Sequence, residues 1–194
     1  MKSIQLLFNK IRDAFNEIPK PILKFALRGL ISFIIWESLY NIFLVPDRVI
    51  DKPLTELVGN ITVWGLDKIY PNNDFYIKSI KLLIITDIEF ESETIKLMMG
   101  NKKLIGIADG CNGLNLYILF IGFIIAFPST TKKKITFGIA GILIVFSTNV
   151  LRCIGLSMIQ IHYPHFMFYA HHYVFKIITY AVVFFLWSQF AKSK

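Results

Sequence analysis

Seven side chains in this 194-residue sequence could do chemistry away from bulk water: Cys111, Cys153, Arg152, His162, His165, His171 and His172. A thiolate attacks carbonyls, a guanidinium offers forked donors to a developing oxyanion, and an imidazole moves protons. Cys111 stands in Asp109-Gly110-Cys111-Asn112-Gly113, with a glycine close on each side that lets the chain bend sharply or a substrate approach closely. It also opens an apolar stretch, and a helix start and a neighbouring cation both favour thiolate over thiol. Cys153 has no such setting and reads as packing. Two cysteines make no disulfide framework and show no metal spacing. Four histidines within eleven positions raise zinc or copper, yet the acidic and cysteine ligands expected beside them are missing from that segment. The expectation is no metal and no cofactor, since acyl transfer through a thiol needs neither.

The elements that must position these residues are apolar. Apolar residues make up 55% of the chain and charged ones 18%, with 18 Phe and a mean hydropathy of +0.57. That composition excludes disorder and argues against an ordinary soluble domain. A net charge of +8 suggests nucleic acid, but the basic residues fall in short runs beside apolar stretches, the signature of membrane topology. The spacing predicts an all-α integral membrane bundle with spans over about residues 22–45, 111–127, 135–161 and 169–190, forming one unit over 22–190. Residues 1–20 carry Ile4, Leu7, Phe8, Ile11, Phe15 and Ile18 at helical spacing among charges, and read as an amphipathic interfacial helix. The segment 46–109 reads as a small α+β subdomain. Leu54, Leu57, Val58, Ile61 and Trp64 have helical spacing, whereas Asp87-Ile88-Glu89-Phe90-Glu91 and Thr94-Ile95-Lys96-Leu97-Met98 alternate like a hairpin, set off by Gly100-Asn101 from Lys103-Leu104-Ile105-Gly106-Ile107.

Basic residues mark the cytoplasmic side. Lys2, Lys10, Arg12, Lys20, Lys24 and Arg28 come before or open the first span, Lys132, Lys133 and Lys134 separate the second from the third, and Lys192 and Lys194 follow the fourth. Both termini are therefore expected inside, with 46–109 outside. At a rise of about 1.5 Å per residue, Cys111 stands roughly 24 Å above Phe127, Arg152 roughly 27 Å above Lys134, and His172 roughly 27 Å above Phe190. Three different spans thus bring a Cys, an Arg and a His to one outer level. Arg152 needs a partner or a purpose there, because an Arg at a helix centre costs about 2.5–3.5 kcal/mol. It either pairs with an acid such as Glu37, snorkels to headgroups, or serves the thiol.

These residues resemble the exosortase/archaeosortase membrane transpeptidases. The likeness rests on Gly110-Cys111-Asn112-Gly113-Leu114, on Thr148-Asn149-Val150-Leu151-Arg152 as an Asn-x-x-Arg motif, and on a histidine opening the last span, over about residues 22–190. In size the chain is similar to the short exosortase F type of the Bacteroidetes. The family often has Ser or Thr where Asn112 stands. His172-Tyr173-Val174-Phe175 matches its His-x-x-aromatic run, with His171 as the alternative. The resemblance implies a cysteine transpeptidase in a bacterial inner membrane, active on the periplasmic side. Its substrates would be secreted proteins ending in a short motif, a membrane helix and a basic tail, and its acceptor a lipid or polysaccharide. It assigns Cys111 as nucleophile, Arg152 as oxyanion or orienting group and His172 as proton carrier; Asn149, one turn before Arg152 on nearly the same helix face, is placed to fix the guanidinium, with Gly110, Asn112, Gly113 and Glu37 as supporting residues. The competing readings are a non-catalytic membrane scaffold held by an Arg152–Glu37 pair and, less favoured, a small metal transporter using the histidines.

Overall fold

The computed structural model describes residues 19–44, 48–84 and 90–193. The amphipathic segment before residue 19, the end of the first expected span at 45–47 and the start of the expected hairpin at 87–89 lie outside the described residues. The chain is mostly helical, with one small three-stranded antiparallel sheet. Helix α1 runs Lys20–Leu39, with Pro21 in its first turn, where the missing N–H costs nothing. It passes into a π-helical turn, Tyr40–Leu44. Helix α2, Asp51–Ile69, precedes strands β1 (Phe75–Ile84), β2 (Phe90–Met99) and β3 (Lys102–Ile107), arranged in that order. A 3-10 turn, Asp109–Cys111, leads to α3, Leu114–Ala126. Then come α4, Thr131–His162, short turns through Pro164–Phe166 and Met167–Tyr169, a second π-helical turn, Ala170–Val174, and α5, Phe175–Lys192.

Several boundaries differ from the sequence expectation. Cys111 is not the first residue of a helix. It sits in the 3-10 turn, and α3 begins three residues later because Gly113 takes a left-handed φ of 92° that a helix cannot continue through. Lys132, Lys133 and Lys134 lie in the first turn of α4 and not in a loop; the turn before it is made by Pro128 and its neighbours. The sheet has three strands where a hairpin was expected. Phe75–Ile84 was missed as a strand because Lys78 and Ser79 are adjacent and interrupt strict alternation.

Of the described helices, two are long and apolar enough to cross a bilayer, Thr131–His162 and Pro164–Lys192 with its π turn, while Leu114–Ala126 is apolar but shorter. Helix α1 buries none of its residues, and Leu30, Ile34, Leu143, Ile177, Phe184 and Phe185 all stand exposed. Apolar surface on that scale fits lipid better than water. Among the described residues there are two cores. One joins Val58 and Leu66 of α2, Phe75, Leu97, Leu104, Ile105 and Ile107 of the sheet, and Val150, Cys153 and Leu156 of α4. The other joins Phe120 and Ile124 of α3, Val145 of α4, and Val183, Leu186 and Phe190 of α5. Helix α4 belongs to both, so its middle, which carries Asn149 and Arg152, lies where they meet.

Candidate active site

Between β3, α4 and the second π turn lies a cavity of about 370 Å³ lined by Cys111, Arg152, His171 and His172, together with Cys153, Leu156 and other apolar residues. The convergence expected from depth alone is therefore present in three dimensions. Arg152 Nη2 is 3.9 Å from Cys111 Sγ, and its Nε is buried without a hydrogen-bond partner among the described residues. A half-buried guanidinium whose Nε is shut away unpaired is costly to keep unless something uses it.

Both histidines belong to the π turn, a conformation that inserts one residue into a helix and recurs at functional sites. His171 is half-buried, whereas His172 is exposed and packs against Phe168 with ring centroids 4.6 Å apart. His162 instead bonds the Tyr70 hydroxyl at 2.7 Å, and His165 packs on Phe166. Among the described residues no group of three or more His, Cys, Asp or Glu is placed to hold a metal ion. Cys153 is buried in the core that α2 and the sheet share with α4, and both cysteines are free thiols.

The turn bearing Cys111 is held from several directions. Its own N–H donates to the Ala108 carbonyl at 2.7 Å. Asn149 Nδ2 donates to the Cys111 carbonyl at 3.2 Å, while Asn149 Oδ1 is buried and unpartnered among the described residues. Asn149 was expected to fix the guanidinium; instead its hydrogen bond goes to the main chain of the cysteine. Asn112 is fully buried. Its Oδ1 accepts from the Leu114 N–H at 2.8 Å, closing the first turn of α3, and its Nδ2 donates to Asp51 Oδ1 at 2.8 Å and to Thr55 Oγ1 at 3.2 Å. Gly113 is needed for its positive φ, whereas Gly110 is exposed beside open space. Glu37 lies exposed on α1, and the cavity wall does not include it.

Sequence reasoning missed the residues that hold this turn in place. Asp51, 2% exposed, accepts from Tyr40 Oη at 2.7 Å as well as from Asn112. Arg48 donates through Nε and Nη2 to the two oxygens of Asp109, both at 2.6 Å, a bidentate pair two residues from the thiol. Thr55 Oγ1, 2.7 Å from the Asp51 carbonyl, also lies 3.2 Å from Asp109 Oδ1. Arg48 has φ 48°, and among the described residues it is the one non-glycine with positive φ. An Asp at the start of a helix is the only signal the sequence offered for this network, and it more often means nothing beyond capping.

With this geometry in view, the comparisons with known proteins are informative. The family model described as transmembrane exosortase (EpsH) matches residues 27–188. No curated protein and no solved structure matches the chain.

Proposed function

The chain belongs to the transmembrane exosortase family, which implies a membrane transpeptidase that processes proteins carrying sorting signals, and on that premise we propose that Cys111, Arg152 and the histidine pair form its catalytic centre. The observation that carries this is the placement of the Arg152 guanidinium 3.9 Å from the Cys111 thiol, in a cavity both histidines line.

The Cys111 thiol gives its proton to an imidazole of the pair and its sulfur attacks the scissile carbonyl, and a C–S bond forms while the oxyanion is held by Arg152. The C–N bond then breaks, and the departing amine takes a proton from the imidazolium of the pair. An acceptor hydroxyl or amine, a lipid or polysaccharide group, gives its proton to the imidazole and attacks the thioester; the C–S bond breaks, and the imidazolium returns that proton to the departing sulfur, restoring the thiol. The sequence favours His172 for this proton; the half-burial of His171 supports it as the alternative. Asn149 and Asn112 position the nucleophile through its carbonyl and through the following turn.

The four-span topology is part of the same proposal. It is supported by the two membrane-capable helices, by the bare apolar flanks of α1 and by the basic clusters. It puts both termini in the cytoplasm and the cavity at the periplasmic face of a bacterial inner membrane, with residues 22–190 as one unit and the α2–sheet subdomain covering the site. Substrates are secreted proteins whose C-terminal membrane helix follows the cleaved bond.

The test is co-expression with secreted proteins bearing hydrophobic C-terminal tails, reading tail loss by intact mass. Loss with wild type and none with Cys111→Ala is expected. Equal processing by both would remove Cys111 as nucleophile and return the scaffold reading. Single His171→Ala and His172→Ala variants in the same assay assign the proton carrier.

A further inference from the structure

The cavity wall includes Ile105, Gly106 and Ile107 in succession. Ile105 and Ile107 share the buried face of β3, and Gly106 between them is exposed, so the cavity runs along this stretch of the strand. Gly106 has nothing but main chain to present there. β3 is the terminal strand of the sheet, paired with β2 on one side. Among the described residues, the backbone hydrogen bonds outside helices and ladders include none from residues 105–107. An open edge of this kind is a template for one more strand. Four residues beyond Ile107 the same chain reaches Cys111, so a strand laid along this edge runs straight to the nucleophile.

We propose that the edge of β3 is the substrate-binding site, on which the extended segment preceding the cleaved bond adds as a fourth strand and delivers its carbonyl to Cys111. This rests on the catalytic reading of Cys111 given above. The added strand runs parallel to β3, because in the substrate a membrane helix follows the cleaved bond just as α3 follows Cys111. Main-chain pairing supplies the affinity common to all substrates. The apolar neighbours Leu156, Met167 and Phe168 select alternate side chains of the recognition motif.

The experiment uses the purified full chain in detergent and the probe acetyl-tetra-alanyl chloromethyl ketone, whose side chains offer a pocket almost nothing. Labelling forms a bond between Cys111 Sγ and the probe's methylene carbon as chloride leaves and the thiol proton passes to solvent or imidazole. Rates are read by intact mass, with the labelled residue mapped, for the parent probe, for each singly N-methylated version and for chloroacetone. The expected result is that the peptide labels Cys111 faster than chloroacetone, and that methylating alternate amides slows labelling about tenfold while the intervening ones change it less than about twofold, as a lost strand hydrogen bond with period two requires. Labelling confined to Cys111 but equal across the methylated series overturns the strand-addition proposal and leaves the catalytic one standing. Labelling that misses Cys111, or that persists in Cys111→Ala, overturns both. The methylated series changes only the probe, so the folding of a variant does not enter that comparison.

Discussion

Gly113→Ala and Gly100→Ala form a matched pair, since both glycines have positive φ, 92° and 53°. At Gly100 a new Cβ meets nothing within 4 Å, so the cost is the left-handed backbone alone, about 1–2 kcal/mol for a residue other than glycine. At Gly113 the same backbone cost applies, and the Cβ also lies 3.3 Å from both Asn149 Nδ2 and Tyr117 Oη. Asn149 must give by a few tenths of an ångström, yet its bond to the Cys111 carbonyl is already 3.2 Å long, at the far end of the usual range. Losing that bond adds about 0.5–1.5 kcal/mol. Gly113→Ala is thus expected to cost about 1 kcal/mol more than Gly100→Ala, and the excess falls on the turn that aims the thiol. The assay is thermal unfolding in detergent beside the rate of Cys111 labelling by the peptidyl chloromethyl ketone. Gly100→Ala should lower the melting temperature and leave the rate alone, whereas Gly113→Ala should lower both. Equal melting shifts with unchanged labelling in both variants would refute the claim that Asn149 positions Cys111 through its carbonyl.

Arg152→Lys keeps a positive charge but loses the forked donors, so tail removal should fall about 10²-fold while labelling by chloroacetone changes little; undiminished processing would remove the oxyanion role. Asp51→Ala strips the acceptor from Tyr40 Oη and from Asn112 Nδ2, two charge-assisted bonds worth about 1.5–3 kcal/mol each. Its melting temperature should drop steeply, with Asp51→Asn intermediate, and an unaltered melting curve for the alanine variant would show that the network holds nothing. Gly141→Ala drives a Cβ into the ring of the fully buried Phe120, an overpacking cost of about 1–3 kcal/mol. It lies about 16 Å along α4 from Arg152, so the folded fraction should still label at wild-type rate; a labelling defect matching the loss of stability would mean that the two cores are not independent.

The membrane character of this chain and the meeting of Cys111, Arg152 and a histidine were legible in the sequence, because both rest on local quantities. Apolar run length sets what a helix can span, and a fixed rise per residue converts chain position into depth. The Cys111 and Asn-x-x-Arg motifs were legible for the same reason, each lying within one or two turns of chain. What holds the nucleophile was not. Asp51 and Asn112 are 61 residues apart, as are Arg48 and Asp109, and no periodicity records which turn a buried carboxylate will meet. The strand β1 escaped because its partner, not its own pattern, makes it a strand. Nor could adjacency in the chain distinguish His171 from His172, since neighbours on a helix point about 100° apart. The π turn at Ala170–Val174, which inserts a residue there, sets how each ring meets the cavity. The sequence by itself determined which residues could react and that spans distant in the chain carry them. Only the packing of α2 and the sheet against α4 decided how the thiol is aimed and which strand edge opens beside it, because those contacts join surfaces distant in the chain.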